Sequence, residues 1–277
     1  MDRNITICAT DLTVITGHNP YKSIDEIILK FWKRYYKSDY LEFVESLNAK
    51  NIKMKKEETD YEVVTRISKE NNVYLGNKLS QCFKSEDVSA LNKNKESIIK
   101  SLESKLSGEK KEEFNKSLNS LTNTSFGIKY ESKGGELYEE KTNNKIIKTS
   151  KYYKNELFQI PNEYDKIDTW GIGGKIDGIL LPENIIIEIK NRVKNLFYKL
   201  RGYEKVQCFV YMFLLESHST DLVEVLKDKN DNSINIIRVD FDESFWEEEI
   251  MLRLEEFISD FYNFLEDPKR KLKLLII

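Results

Sequence analysis

Histidine is almost absent from this chain. Only His18 and His218 occur in 277 residues, which excludes chemistry that needs several imidazoles in one site. Cysteine is nearly as scarce. Cys8, Cys82 and Cys208 are widely spaced and form no CxxC pair. An odd, scattered set argues against a disulfide framework or a zinc site and fits a reducing compartment. No apolar run reaches the roughly 18 residues needed to span a bilayer. The opening MDRNITICATDL lacks a signal-peptide pattern, and no GxxxxGK phosphate loop occurs. The expectation is a soluble, cytoplasmic protein that uses no ATP.

An excess of positive charge is also missing. The 44 basic residues face 47 acidic ones, for a net charge of -3. The sum alone predicts no nucleic-acid binding, although local patches matter more than the total. What is present suits a folded domain. The chain has 14 Phe and 15 Tyr, and its length suits one large domain or two small ones and can bury a substantial core.

Along the chain, Ser23 is a plausible N-cap for a helix whose Ile24, Ile27, Ile28, Phe31 and Trp32 fall at helical spacing. Residues 45–123 differ in composition, being rich in Lys, Glu, Asn and Ser. Ile98, Leu102, Leu106 and Phe114 keep one narrow apolar stripe there, with a break near Gly108. This reads as a helical insertion with a solvated charged face, inside a single domain spanning 1–277. A helix containing Gly134-Gly135 and ending near Asn143 follows. Residues 144–160 and 164–181 alternate like strands, NIIIEIK is a β-rich run, 195–216 reads as one helix, INIIRVDFDE is another strand, and 244–266 is a long amphipathic helix. A mixed β-sheet flanked by helices, an α/β fold, fits this order.

The stretch KIDGILLPENIIIEIKNR, residues 175–192, places Asp177, Glu188 and Lys190 in oily surroundings. Buried charges are costly unless paired or bound to metal. Strand alternation turns Ile185, Ile187 and Ile189 one way and Ile186, Glu188 and Lys190 the other. A tight connection brings Asp177 alongside from the neighbouring strand. Two carboxylates meeting there suit a hard cation such as Mg2+ or Mn2+. An adjacent amine suits an attacking water or a phosphate, and the chemistry suggested is metal-assisted phosphodiester hydrolysis. An amphipathic edge hairpin with solvated charges is the other reading of these residues. The apolar flanks of Glu188, and Gly178 allowing close approach, favour the first.

Asp177 with Glu188-Ile189-Lys190 resembles the PD-(D/E)xK nuclease core, with Ile176 where proline is usual. Gln207 and Tyr211 in VQCFVYMF resemble the QxxxY helix of its exonuclease branch. SFGIKYESKGGELYEE, with Gly127 and Tyr130-Glu131, resembles the glutamate-bearing helix of the lambda exonuclease and YqaJ viral recombinase family, although the glycine pair departs from the usual alanine-containing pattern. RNITICATDLTVITGHNPYKS resembles that family's opening segment. The four matches occur in family order and cover residues 1–36 and about 124–265.

The resemblance implies a PD-(D/E)xK core and a metal-dependent DNA exonuclease. Glu131, Asp177, Glu188 and the Ile189 carbonyl would hold Mg2+, with Mn2+ able to substitute. Lys190 would position water, and Gln207 and Tyr211 would support the site. Arg3 and Thr10 would grip a 5′ phosphate, an apt task for a guanidinium fork and a hydroxyl. Asn19-Pro20-Tyr21 would shape a turn and His18 would be a loop residue. It further implies 5′-to-3′ digestion of one strand at double-stranded DNA ends in recombination or end processing, a homotrimer, a single-strand annealing partner, and a phage, prophage or large DNA virus origin. Lys175, Arg192, Lys194, Lys199 and Arg201 could line a basic channel. Two alternatives remain: another PD-(D/E)xK nuclease, either an endonuclease or a RecB-like end processor, or a catalytically silent DNA-binding module on the same scaffold. Three scattered cysteines argue against RecB-like members that carry a four-cysteine iron–sulfur cluster.

Overall fold

Asn184, with a left-handed φ of 56°, turns the chain from one short strand into the apolar run that follows. Such turns, and the alternation around them, generate seven strands in a computed structural model that describes residues 2–162, 166–228 and 232–276. Tyr164 and Asp165, the first residues of the strand expected over 164–181, lie outside the described residues.

The strands divide into two sheets rather than one. In the first, β1 (Arg3–Cys8) runs parallel to β3 (Ile167–Gly174), and β3 pairs antiparallel with β2 (Tyr153–Pro161). The second has the order β4-β5-β6-β7, comprising Gly178–Leu180, Ile185–Arg192, Ser219–Lys227 and Asn232–Asp240. Its β5 and β6 are parallel and its other pairs antiparallel. Lys175-Ile176-Asp177 links β3 to β4. The parallel β5–β6 pair requires a crossover, and helix α8 (Gly202–Leu215) supplies it.

Helices cover the sheets, so the α/β expectation holds. α1 (Ala9–Ile15), α2 (Ile24–Tyr35), α8 and α10 (Leu252–Glu266) contribute to the largest apolar cluster, which includes Trp32, Phe31, Trp170, Phe209 and Phe261. Ser23 caps α2 in a reciprocal capping box with Glu26. The closing helix is broken into α9 (Glu243–Phe245), a π-helical turn (Trp246–Met251) and α10, and α11 (Pro268–Leu275) follows.

After α3 (Lys37–Ala49), the helices α4 (Asp60–Glu70), α5 (Gly76–Lys84), α6 (Val88–Leu102) and the first half of α7 (Gly108–Thr142) bury a cluster of their own. It contains all four residues of the expected stripe. Gly108 opens α7 with φ 53°, a left-handed value glycine adopts without a Cβ penalty. Residue 123 is no boundary, because α7 runs through it. The second half of α7 lies against β5 and β6, where Tyr138, Ile187, Ile189 and Val223 pack together.

Two further elements differ from expectation. The helix expected from Asn195 starts only at Gly202, since Tyr198 has φ 54° and interrupts any helical run. Of the strand expected over 144–160, only β2 forms, and Ile147 makes an isolated bridge to Ile179. Among the described residues no helix is long and apolar enough to cross a membrane.

Candidate active site

β4 pairs with β5 only as far as Gly178 opposite Ile187. Beyond that point no strand among the described residues pairs with this edge of β5. Asp177, the residue just before β4, caps it: its Oδ2 accepts the Ile189 N–H at 2.7 Å. The fork between the two strands thereby fixes one carboxylate beside the Glu188–Lys190 segment. The structure puts the Ile189 amide in contact with Asp177.

Alternation does the rest. Ile187 and Ile189 turn under α7, while Glu188 and Lys190 turn towards α8. Lys190 Nζ donates to Glu188 Oε1 at 2.6 Å and to Gln207 Oε1 at 2.8 Å. Gln207 Nε2 donates in turn to the Tyr211 hydroxyl at 2.8 Å. Four residues apart on α8, Gln207 and Tyr211 share a face. Gly174 at the end of β3 makes room for the tyrosine, because a Cβ there would stand 2.5 Å from a Tyr211 ring carbon. The structure thus brings together Asp177, Glu188, Lys190, Gln207 and Tyr211.

Their electrostatics are unbalanced. Glu188 is buried, and among the described residues its Oε2 has no hydrogen-bond partner. Burial, then the Glu188 charge, pushes the Asp177 carboxyl up to about 8, against the Ile189 amide; Glu131 adds to the rise. Burial also raises Glu188, with Glu131 and Glu204 adding and Lys190 opposing. For Lys190, burial pulls the amine down, but Glu188 and Asp177 outweigh it and hold the amine protonated. A buried acid oxygen without a donor, beside a second acid that resists ionisation, is a place where a cation would relieve a real cost. All donors are carboxylate oxygens, so a hard divalent ion fits. Among the described residues no three Asp, Glu, His or Cys side chains are gathered closely enough to enclose a metal. Asp177 and Glu188 are the close pair. Glu131, exposed on α7, acts on both through its charge.

Arg3 is placed elsewhere. It pairs with Asp168 (3.1 Å) near the start of β3 and stacks 4.1 Å over Tyr36. That is six residues, about 20 Å, from Gly174 at the other end of the strand. Arg3 lines a groove of about 760 Å³ with Tyr36, Asn162 and Tyr262. Thr10, exposed in the first turn of α1, does lie at the Gly174 end, and its hydroxyl contacts Cys8 Sγ at 3.1 Å. His18 is a loop residue with its ring edge-on to Phe245.

Arg192 also departs from expectation. It continues the Glu188–Lys190 face of β5 but turns inward, donating to Glu204 (2.8 Å) and Glu224 (2.8 Å), both fully buried. A guanidinium committed to two buried acids cannot line a DNA channel. Glu204 and Glu224 escaped the reading of the sequence. Glu224 carries the same signal as Glu188, a lone acid in the apolar run LVEVL, and Glu204 sits three residues before Gln207 on one helix face.

No protein-family model matches the sequence, and no curated protein matches it. Among solved structures, the chain is similar to an alkaline exonuclease (LHK-Exo) from Laribacter hongkongensis, at 14% identity and TM-score 0.40, over 76% of this chain and 92% of that one. It is similar to a phage-related exonuclease from Haemophilus somnus 129PT, at 14% identity and TM-score 0.37, over 52% and 70%. A third, SSO0001, is 17% identical with TM-score 0.34, over 71% and 84%. At these TM-scores the likenesses carry no inference about the activity of this chain.

Proposed function

We propose that this chain is a metal-dependent DNA nuclease that hydrolyses phosphodiester bonds at the ends of linear duplexes, digesting one strand 5′ to 3′ in recombination or end processing. One observation carries the reading: the buried Glu188 and the half-buried Asp177 meet at a strand fork, with one Glu188 oxygen unpartnered among the described residues and a protonated amine 2.6 Å from the other. Mg2+, or Mn2+ in its place, would be held by Asp177 and Glu188, with Glu131 completing the site. Bound there, the ion would activate the attacking water and offset charge on the phosphate.

The chain's own residues do the rest. Lys190 stays protonated, so it serves as a hydrogen-bond donor that orients the water, favours its deprotonated form and stabilises charge growing on the phosphate. Gln207 holds the amine in place, and Tyr211 holds Gln207. A single-strand annealing protein as partner and a homotrimer belong to the same proposal.

The test uses linear duplex with a 5′ phosphate, a closed circle, and RNA, each with Mg2+ and with chelator. Mononucleotides released only from linear DNA, only with the ion, are expected. Lys190→Ala should lose at least about 100-fold in rate while still binding DNA. Nicking of circles would point to an endonuclease, binding without cleavage to a silent module. Activity of Lys190→Ala within about tenfold of wild type would remove the amine from the mechanism.

A further inference from the structure

Past the catalytic strand, side chains form a ladder of guanidinium groups and rings that leads out to solvent. Phe197 lies between two arginines, with Arg192 at 4.5 Å from its centroid and Arg201 at 3.2 Å. Arg201 donates to the Tyr203 hydroxyl at 2.7 Å, and Tyr203 meets Tyr21 edge-on at 6.0 Å. Tyr21 is 64% exposed. The inner end of the ladder is Arg192, two residues or about 7 Å beyond Lys190 on the same face of β5.

Tyr198 lies beside this ladder and is costly for folding. Its backbone is left-handed at φ 54°, a conformation that penalises a bulky L-residue, and the residue is 71% exposed. Among the described residues nothing stacks on that ring or bonds its hydroxyl. The conformation is enforced from beneath: buried Glu224 accepts the N–H groups of Phe197 at 3.2 Å and of Tyr198 at 2.9 Å, while Arg192 ties Glu224 to α8 through Glu204. A rigid buried clamp therefore holds an aromatic ring out into water. Lys199, also exposed, follows it directly.

We propose that Tyr198 and Tyr21, with Arg201 and Lys199, form a platform for single-stranded DNA next to the Asp177–Glu188 site. Unpaired bases stack on the two tyrosines, and the basic groups meet the backbone phosphates. Exposed rings interleaved with cations are what sequence-tolerant binding of single strands needs, since every base has a face to stack. The inference rests on the nuclease reading for the role of the bound strand, but not for the binding itself.

The test measures binding of fluorescent oligo(dT) in chelator, where no hydrolysis intervenes. Tyr198→Ala and Tyr21→Ala should each weaken binding about tenfold, and the double variant more. Tyr198→Trp should restore it, because stacking needs a ring and not the hydroxyl. The loss should persist as salt rises, unlike that of Lys199→Ala, whose phosphate contact is screened. A folded double variant, checked by circular dichroism, that binds as wild type does would overturn the platform, as would wild type that binds no oligo(dT). Tyrosine-dependent binding by a chain that cleaves nothing would leave the platform standing and remove the nuclease reading. Cleavage with tyrosine-independent binding would do the reverse.

Discussion

Gly134 on α7 and Ile189 on β5 are in such close contact that a Cβ on the glycine would stand 2.5 Å from the isoleucine Cγ2. A glycine in a helix interior costs about 1 kcal/mol relative to alanine, and this contact is the reason to bear it. It lets α7 lie directly on the strand whose other face carries Glu188 and Lys190. Glu131 stands one turn before it.

Gly134→Ala should therefore destabilise the protein by about 1–3 kcal/mol, as overpacking does, despite the better helix propensity. Gly127, on the same helix, has nothing within 4 Å of a built Cβ. Gly127→Ala should stabilise by about 0.5–1 kcal/mol. Denaturant unfolding of both variants checks the pair, and the opposite order of stabilities would disprove the close packing of α7 on β5.

Arg192→Met should cost about 3–5 kcal/mol, because it leaves Glu204 and Glu224 buried without their shared cation. Arg192→Lys should recover little, since one ammonium cannot reproduce a fork that serves two acids. A channel-lining arginine would behave otherwise, weakening DNA binding while leaving stability alone. Unfolding and binding measured on the same variant separate the two roles.

In chelator, Asp177→Asn should stabilise the protein increasingly as pH rises. The folded carboxyl, pushed up to about 8, keeps a proton that the unfolded chain has released above roughly pH 4. Wild-type stability from this group is thus fully present below about pH 4 and is lost as pH climbs towards 8. The asparagine does not titrate, and its advantage should grow across that window and then level off. A difference independent of pH would separate Asp177 from the charge of Glu188.

Asp168 runs the other way. Burial raises it, but donors from Tyr36, Asn162, Tyr262 and Arg3 together win and hold it below the usual carboxylate range. Its contribution is present above roughly pH 4 and is lost as pH falls through the lowered folded value. Arg3→Ala should therefore move acid unfolding to higher pH. It should leave the preference for a 5′ phosphate over a 5′ hydroxyl end unchanged in a cleavage assay. A changed preference would bring Arg3 back to the DNA end.

The features readable along the chain are those whose cause is local. Period-two alternation put Glu188 and Lys190 on one face, four-residue spacing aligned Gln207 with Tyr211, and Ser23 as an N-cap announced α2. The α/β order of elements followed from the same periodicities. The pairing of Arg3 with Asp168 is not legible, because the two stand 165 residues apart. The pairing of Arg192 with Glu204 and Glu224 is equally hidden, because the two acids meet it only after α8 crosses from β5 to β6. Whether a charge faces water, a metal or a buried counter-charge depends on neighbours distant in sequence, and no local pattern encodes them. The residue types and spacings of the acidic pair and its amine were thus determined by the sequence itself. The β4–β5 fork, the clamp under Tyr198 and the fate of each arginine were decided by tertiary packing, which alone sets burial and therefore the cost of every unpaired charge.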